Sequence, residues 1–271
     1  MRGNVDRQPA DNQRGETVSV DGLEMYYESH GVSRPLVLLH GAMSTIETSF
    51  GATIPLLAPT RRIIAVEQQG HGRTADAERP LSYRQMAKDT ARLVQKLNIA
   101  HADFFGYSMG AGIALELAIQ YPQLVRRLVV ASLAYTNDGF HRAAAAQFLE
   151  IDPNDLPDSV FHQWYERVAP SPENWRTLVG KCNELDRWFQ GWRPADVQAV
   201  TAPMLIIVGD SDIVRPEHAV EIFRLVGGGV DGDTAGLPAS QLAVLPATTH
   251  LTIVDRADWL VSMISAFLDA P

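Results

Sequence analysis

A serine flanked by glycines occurs at residues 106–110, in the sequence Gly-Tyr-Ser-Met-Gly. The apolar run Asp103–Gly106 predicts a strand and the run Met109–Tyr121 predicts a helix, so Ser108 falls where a strand turns into a helix. A sharp turn of this kind needs very small neighbours and presents the serine hydroxyl as a nucleophile. We expect the two flanking glycines to provide that room, and Gly112 to let the helix pack close to the strands.

Two aspartates could supply the acid of a catalytic triad. Asp210 and Asp212 follow the apolar run Met204–Val208, which predicts another strand. The carboxyl ends of parallel strands share one edge of a sheet, so this loop is expected near Ser108. Asp210 could instead bond to its own turn, whereas Asp212 lies further into the loop. The residues alone do not decide which of the two aspartates is the acid.

One histidine occupies a position suited to a general base. Of the eight histidines in the chain, His250 alone lies between the predicted strand Gln241–Leu245 and the final predicted helix. It follows both the serine and the candidate acids, and the chain order serine, acid, histidine is that of a recurrent hydrolytic triad.

Backbone amides near the serine could stabilise a developing oxyanion. The predicted strand Leu36–Leu39 runs into His40-Gly41-Ala42, and Gly41 permits a backbone turn that is closed to most residues. Such a turn can aim the amide of Ala42 at the site, where the amide of Met109 at a helix N-terminus would join it. We expect the His40 side chain to be structural and to bond nearby backbone.

Short apolar runs separated by turns and helical stretches predict the sheet that positions these residues. An opening hairpin turns at Asp21-Gly22, and the later strands alternate with helices, which favours a mostly parallel α/β sheet. The predicted strands are Thr17–Val20, Leu23–Ser29, Leu36–Leu39, Ile63–Val66, Asp103–Gly106, Leu128–Ala131, Met204–Val208 and Gln241–Leu245.

Two apolar stripes at helical spacing predict core-facing helices. One runs from Tyr83 to Leu97 behind Ser82, which with Gln85 could form a capping box. The other comprises Trp259, Leu260, Met263, Ile264 and Phe267.

The alternation of strands and helices breaks after the sixth predicted strand. Residues 133–194 contain helical pieces punctuated by proline and four of the five tryptophans, which predicts a helical cap. We assign 17–132 and 195–271 to the core domain. Residues 1–16 are polar, lack the apolar core of a signal peptide and are expected to form a flexible tail.

Composition excludes several classes of function. The 271 residues carry 23 Lys and Arg against 32 Asp and Glu, a net charge of −9, which argues against nucleic-acid binding. No apolar stretch is long enough to span a membrane. The single cysteine, Cys182, excludes an internal disulfide and a zinc-type cysteine motif. We therefore expect a cytoplasmic monomer or homodimer that acts on a small molecule without metal or cofactor.

Together these motifs resemble the α/β-hydrolase fold family, in its capped, esterase-like branch. The resemblance extends from about Thr17 to Leu268. It implies a mostly parallel eight-stranded sheet flanked by helices, with a helical cap after strand six. It also implies that Ser108 is the nucleophile, Asp212 the acid and His250 the base.

The sequence departs from the family pattern at two loops. Glu67 and Thr74 stand where the family often has Asp and Ser, in a loop that we expect to be structural or to line the pocket. Thr248 and Thr249 stand where the family commonly has glycine before its histidine, so the shape of that loop is less well predicted.

The resemblance implies a serine hydrolase of small or medium, mostly apolar carboxylic esters. A serine at position 108 argues against dehalogenase and epoxide hydrolase chemistry, in which an aspartate is the nucleophile. Carbon–carbon bond hydrolase, lactonase, amidase and perhydrolase activities share the triad, and a slow-turnover ligand receptor is a further alternative. The expected substrate pocket includes Met43, Tyr107, Trp164 and Trp188, among other aromatic residues of the cap.

Overall fold

The computed structural model describes residues 15–143, 151–156 and 159–270. Most of the expected tail therefore lies outside the described residues, and Glu16, its last expected residue, instead opens the first strand. The strands are β1 Glu16–Val20, β2 Leu23–His30, β3 Pro35–Leu39, β4 Arg62–Val66, β5 Ala102–Tyr107, β6 Val125–Ala131, β7 Met204–Gly209 and β8 Gln241–Leu245.

The described strands form one eight-stranded sheet in the order β1-β2-β4-β3-β5-β6-β7-β8. The β1–β2 and β2–β4 pairs are antiparallel, and β4, β3, β5, β6, β7 and β8 are parallel neighbours. The hairpin at Asp21-Gly22 and the mostly parallel sheet are confirmed. The parallel strands end at the same edge, and that edge carries the candidate site.

Helices cover both faces of the sheet. They are α1 Ile46–Phe50, α2 Ile54–Leu57, α3 Tyr83–Lys96, α4 Met109–Gln120, α5 Val160–Val168, α6 Trp175–Trp188, α7 Pro194–Gln198, α8 Pro216–Leu225, α9 Gly232–Ala235 and α10 Ala257–Asp269.

Successive residues of β3 show why these strands are apolar throughout. Leu36 and Leu38 pack into one hydrophobic cluster, together with Phe267 of α10. Val37 and Leu39 pack into the cluster on the opposite face, which contains residues of α3 and α4. Because side chains alternate across a strand, a sheet covered on both faces needs apolar residues at every position.

Two details of the predicted helices were wrong. The Ser82 hydroxyl accepts from the Gln85 amide N–H at 3.2 Å, but the Gln85 side chain donates to Asp89 at 2.8 Å, so the capping box is only half formed. In α10, Trp259 is 46% exposed and lies beneath the guanidinium of Arg256 instead of facing the core. Leu260, Ile264 and Phe267, in contrast, are buried.

Helices α5, α6 and α7 lie between β6 and β7, in a stretch that we call the inserted segment (residues 132–203). Its buried residues include Tyr165 on α5 and Trp175 on α6, whose ring centroids are 5.3 Å apart. No helix in the described part of the chain is both long and apolar enough to cross a bilayer.

Candidate active site

Ser108 occupies the tight junction between β5 and α4. Its φ of 54° and ψ of −118° lie outside the helical and extended regions that L-residues prefer. The backbone is held there because the Ser108 N–H donates to the carbonyl of Ala131 on β6 at 2.9 Å. Strain of this kind persists only where the surrounding structure imposes it, and it is concentrated at functional sites.

The glycines around Ser108 are needed because backbone atoms approach closely. A Cβ on Gly106 would overlap the carbonyl of Gly110, and a Cβ on Gly110 would overlap the carbonyl of Leu39 at the end of β3. Gly112 has a different role from the predicted one. A Cβ there would meet the ring of Tyr83 on α3, so this glycine serves helix–helix packing.

Replacing Gly110 with alanine is expected to lower the free energy of unfolding by about 3 kcal/mol or more. The new methyl group would overlap the Leu39 carbonyl, and that carbonyl cannot move away without shifting β3. Gly180 in α6 is the matched control, since a Cβ there meets nothing within 4 Å. Gly180→Ala is expected to stabilise the protein by about 0.5–1 kcal/mol through its lower chain entropy. Urea denaturation of both variants measures the difference. Equal effects would contradict the backbone contact.

Ser108, His250 and Asp212 are joined by two hydrogen bonds. The distance from Ser108 Oγ to His250 Nε2 is 2.9 Å, and His250 Nδ1 lies 2.9 Å from Asp212 Oδ1. A carboxylate can only accept, so Nδ1 carries the proton and Nε2 is free to accept from the serine hydroxyl. The fold thus brings together three side chains from the loops after β5, β7 and β8.

Asp212 is buried and fully hydrogen-bonded. Besides His250, its Oδ1 accepts from the Val214 N–H at 3.0 Å, and its Oδ2 accepts from the Ser132 hydroxyl at 2.5 Å. Burial alone would raise the pKa of this carboxyl, but the hydrogen bonds from His250, Ser132 and Val214 outweigh it and hold the pKa below its usual value. Asp212 is therefore a carboxylate at neutral pH. Sequence reasoning did not identify Ser132 as its partner.

Asp210 is structural, but it bonds mainly to the loop after β8 and not to its own turn as the alternative had it. Its exposed carboxylate accepts from the backbone N–H groups of Ala247 at 2.9 Å and Thr248 at 3.2 Å, which lowers its pKa. These bonds connect the loop after β7 to the loop that carries His250. A second support comes from Tyr107, whose hydroxyl donates to the His250 carbonyl at 2.8 Å.

Ala42 and Met109, whose amides are proposed for an oxyanion hole, both border the cavity beside Ser108. Met109 is the first residue of α4, so its N–H has no partner within the helix. Among the described residues, the Ala42 N–H also lacks a hydrogen-bond acceptor. Neither amide thus has a competing acceptor within the described chain.

His40 is structural, as expected. It is fully buried, its Nδ1 lies 2.7 Å from the Gly41 carbonyl, and its Nε2 accepts from the Gln68 N–H at 3.0 Å. Burial lowers its pKa to about 4, so it is neutral. The reason given for Gly41 was wrong, because its φ is not positive; a Cβ there would instead crowd the ring of Tyr107 at 3.0 Å.

The loop that departs from the family pattern is structural. Glu67 is buried and accepts from the N–H groups of Ile46 at 3.4 Å and Arg73 at 2.5 Å. Its burial outweighs the nearby guanidinium and raises its pKa to about 7. Thr74 links the same loop to β2, since its hydroxyl donates to the Glu67 carbonyl and accepts from the Tyr26 N–H.

The cavity beside Ser108 is mostly apolar. Met43 and Tyr107, two of the residues predicted for the substrate pocket, line it. Trp164 and Trp188 do not. Trp164 packs under Arg167 on α5, and Trp188 is 73% exposed beside a separate surface groove. The lining from the inserted segment comprises Ser132, Leu133, Ala134, Asn137, Phe140, Phe161, Asp186 and Phe189.

Asp186 was missed by sequence reasoning. A signal was available, because it lies four residues after the buried Cys182 and seven after the buried Val179, on the inward face of α6. No group of three or more His, Cys, Asp or Glu side chains within the described chain is arranged to hold a metal ion.

Comparisons with known proteins identify the family of this chain. A family model described as alpha/beta hydrolase fold matches residues 34–158. An sn-1-specific diacylglycerol lipase from Danio rerio is 30% identical, over 97% of this chain and 87% of the lipase. A 2-hydroxymuconate semialdehyde hydrolase from Pseudomonas sp. (strain CF600) is 36% identical, over 94% of this chain and 93% of that enzyme.

The solved structures add agreement on the fold. The meta-cleavage product hydrolase from Pseudomonas fluorescens IP01 superposes with a TM-score of 0.75 at 20% identity, over 94% of this chain and 97% of that one. At that identity the likeness is one of fold alone. The lipase and the semialdehyde hydrolase support the family assignment more strongly, because each is at least 30% identical over nearly the whole chain. This chain belongs to the α/β-hydrolase fold family and is a hydrolase.

Proposed function

We propose that the protein is a serine hydrolase of small or medium, mostly apolar carboxylic esters, acting through an acyl-enzyme on Ser108. The observation that carries the proposal is the pair of hydrogen bonds, each 2.9 Å long, that joins Ser108 to His250 and His250 to Asp212. This arrangement lets a weakly acidic hydroxyl lose its proton as it attacks.

In the acylation step, Ser108 Oγ forms a bond to the carbonyl carbon of the ester, and His250 Nε2 takes the hydroxyl proton. The imidazolium that results is stabilised by the Asp212 carboxylate at Nδ1. The carbonyl oxygen becomes an oxyanion that the amides of Ala42 and Met109 can bind, each such donor contributing about 3–4 kcal/mol in comparable sites. The ester C–O bond then breaks, and Nε2 returns the proton to the departing alcohol.

In the deacylation step, water replaces the alcohol. His250 Nε2 takes a proton from the water as its oxygen bonds to the acyl carbon, and the second oxyanion occupies the same two amides. Collapse of that intermediate breaks the bond to Ser108 Oγ, which recovers its proton from Nε2. The products are a carboxylic acid and an alcohol.

The cavity lining supports a mostly apolar substrate. Phe140, Phe161 and Phe189 come from the inserted segment and face the same cavity as Ser108. We therefore propose that this segment acts as a cap, whose aromatic side chains enclose the substrate and exclude water from the reacting bond.

Carbon–carbon bond hydrolysis is the second candidate, because one relative at 36% identity is a 2-hydroxymuconate semialdehyde hydrolase. The charge of the cavity favours the ester. A dienoate substrate is an anion, yet the described lining residues include the carboxyl of Asp186 and neither Lys nor Arg. The undescribed stretches 144–150 and 157–158 contain no Lys or Arg in the sequence either.

The proposal is tested by hydrolysis of p-nitrophenyl esters from acetate to decanoate, with 2-hydroxymuconate semialdehyde as the carbon–carbon substrate. We expect kcat/KM above about 10⁴ M⁻¹ s⁻¹ for the best ester, and an optimum at short or medium chain length because aromatic side chains of the inserted segment line the cavity. Faster turnover of the semialdehyde than of every ester would overturn the proposal. Tight binding of an ester without turnover would instead indicate a ligand receptor.

A further inference from the structure

Asp186 places a carboxyl group inside the substrate cavity, on the face of α6 where an apolar residue is expected. Trp175, Val179 and Cys182 on that face are buried, and Asp186 continues their helical spacing. It borders the same cavity as Ser108 and His250. A solvated surface position does not account for this carboxyl, because the neighbouring side chains of its face form the core of the inserted segment.

Within the part of the chain that the structure describes, this carboxyl has no partner. Among the described residues, Asp186 neither accepts a hydrogen bond nor forms an ion pair, and burial alone raises its pKa to about 7. The titratable groups that its charge affects are the phenol of Tyr83 on α3 and the thiol of Cys182, and its negative charge adds to the rise in both of their pKa values. Asp186 is half-buried, and a carboxyl at the wall of a cavity that has no partner among the described residues is suited to a partner on a ligand.

The surroundings of Asp186 indicate the charge of that partner. The cavity is lined by the aromatic rings of Tyr83, Phe161 and Phe189 and, within the described chain, by no Lys or Arg side chain. The rings of Tyr83 and Phe189 are themselves in contact, with centroids 4.9 Å apart. Aromatic faces attract cations, and a carboxylate adds a charge-assisted hydrogen bond to a cation that carries N–H.

We propose that the Asp186 carboxylate binds a protonated amine of the substrate, so that amine-bearing carboxylic esters are the preferred substrate class of this cavity. The proposal rests on the proposed ester hydrolysis for its catalytic half. The proposed binding of an amine is supported by the unpaired carboxyl and its aromatic neighbours, and it does not depend on ester hydrolysis. Asp186 acts here as a specificity-determining residue and takes no part in the proton transfers.

Two pairs of isosteric esters test the preference and locate the amine. Ethyl 6-aminohexanoate is compared with ethyl heptanoate for an amine on the acyl side, and 2-(dimethylamino)ethyl butanoate with 3-methylbutyl butanoate for one on the alcohol side. At pH 8, where the Asp186 carboxyl is mostly ionised, we expect kcat/KM for one ammonium ester to exceed that of its neutral partner by about tenfold or more.

Asp186→Asn removes the charge at nearly constant size. It is expected to raise KM for the favoured ammonium ester by about tenfold, with kcat and the neutral esters changed less than about threefold. Glu184→Gln is the control, because Glu184 is an exposed carboxylate on the same helix that does not border the cavity. An equal loss with both members of a pair, or in the control variant, would overturn the assignment to Asp186.

A binding measurement separates this inference from the proposed function. Calorimetric titration with 2-phenylethylammonium chloride, and with 2-phenylethanol as its uncharged counterpart, needs no hydrolysis. We expect the ammonium Kd to weaken by about tenfold or more in Asp186→Asn, with the Kd for the alcohol unchanged. Equal affinity of both proteins for the ammonium overturns the inference even if esters are hydrolysed. Binding lost in the variant, with no ester cleaved by the wild type, supports the amine site and overturns the proposed function.

Discussion

Replacing Ser108 with alanine is expected to reduce kcat for the best p-nitrophenyl ester by about 10⁵–10⁶-fold. In the proposed mechanism the Ser108 hydroxyl oxygen bonds to the substrate carbon. The two other serines that border the cavity have hydroxyls that already donate elsewhere, Ser44 to the Ala42 carbonyl at 3.3 Å and Ser132 to the Asp212 carboxylate. The fold is expected to persist, since an alanine methyl fits where the serine Cβ already lies. The residual rate would be that of the oxyanion amides acting on attack by water.

Ser44→Ala is the matched control, because it removes a hydroxyl from the same cavity without touching the triad. The loss of one weak hydrogen bond amounts to about 1 kcal/mol, so kcat should fall less than about tenfold. Stopped-flow assays with active-site titration measure both variants, and a fluorophosphonate should add its mass to the wild type and to Ser44→Ala only. Labelling of Ser108→Ala, or turnover within a hundredfold of wild type, would show that another residue is the nucleophile.

Much of this site could be predicted because sheet geometry makes position along the chain informative. The apolar runs before Ser108 and Asp212 are strands that are buried on both faces. A short, uninterrupted apolar run is typical of such a strand and was therefore informative. Parallel strands end at one edge, so the residues that follow them meet there. The order serine, acid, histidine then selected His250 from eight histidines.

Side-chain roles within those loops were harder to predict, because they depend on contacts between distant segments. The sequence predicted that small residues are needed at positions 41 and 112. The predicted reasons were a special backbone turn at Gly41 and close packing of the helix on the strands at Gly112. The structure shows instead that they make room for the rings of Tyr107 and Tyr83. A glycine in the sequence indicates that a side chain would not fit at that position, but it does not indicate which neighbouring group occupies the space.

The lining of the cavity was predicted least well where it comes from the inserted segment. Large aromatic residues serve packing, surfaces and pockets alike, and their type does not distinguish Trp164 and Trp188 from Phe161 and Phe189. Asp186 was the more informative residue, since a carboxyl on the inward face of a helix conflicts with the apolar pattern around it. Such conflicts between local pattern and residue type are concentrated at functional sites.

Asp212→Asn is expected to reduce kcat by about 10³–10⁴-fold. Oδ1 accepts from both the His250 ring and the Val214 N–H, so an asparagine would present its oxygen there and its amide to the Ser132 hydroxyl. The histidine can thus keep its tautomer, and the loss is that of the negative charge that stabilises the imidazolium. Asp212→Ala removes orientation as well and should be slower still. Steady-state assays with p-nitrophenyl butanoate compare the two.

Asp210→Asn is the matched control, two residues earlier in the same loop. Among the described residues, its carboxylate accepts from backbone N–H groups and the Ser211 hydroxyl and makes no hydrogen bond to the His250 ring. An asparagine can keep part of that bonding, so we expect kcat within about tenfold of wild type and a loss of about 1 kcal/mol of stability. The reverse order of effects would make Asp210 the acid. That result would require the loops after β7 and β8 to rearrange, because in this fold the carboxyl that reaches Nδ1 is the one that Ser132 and Val214 hold in place.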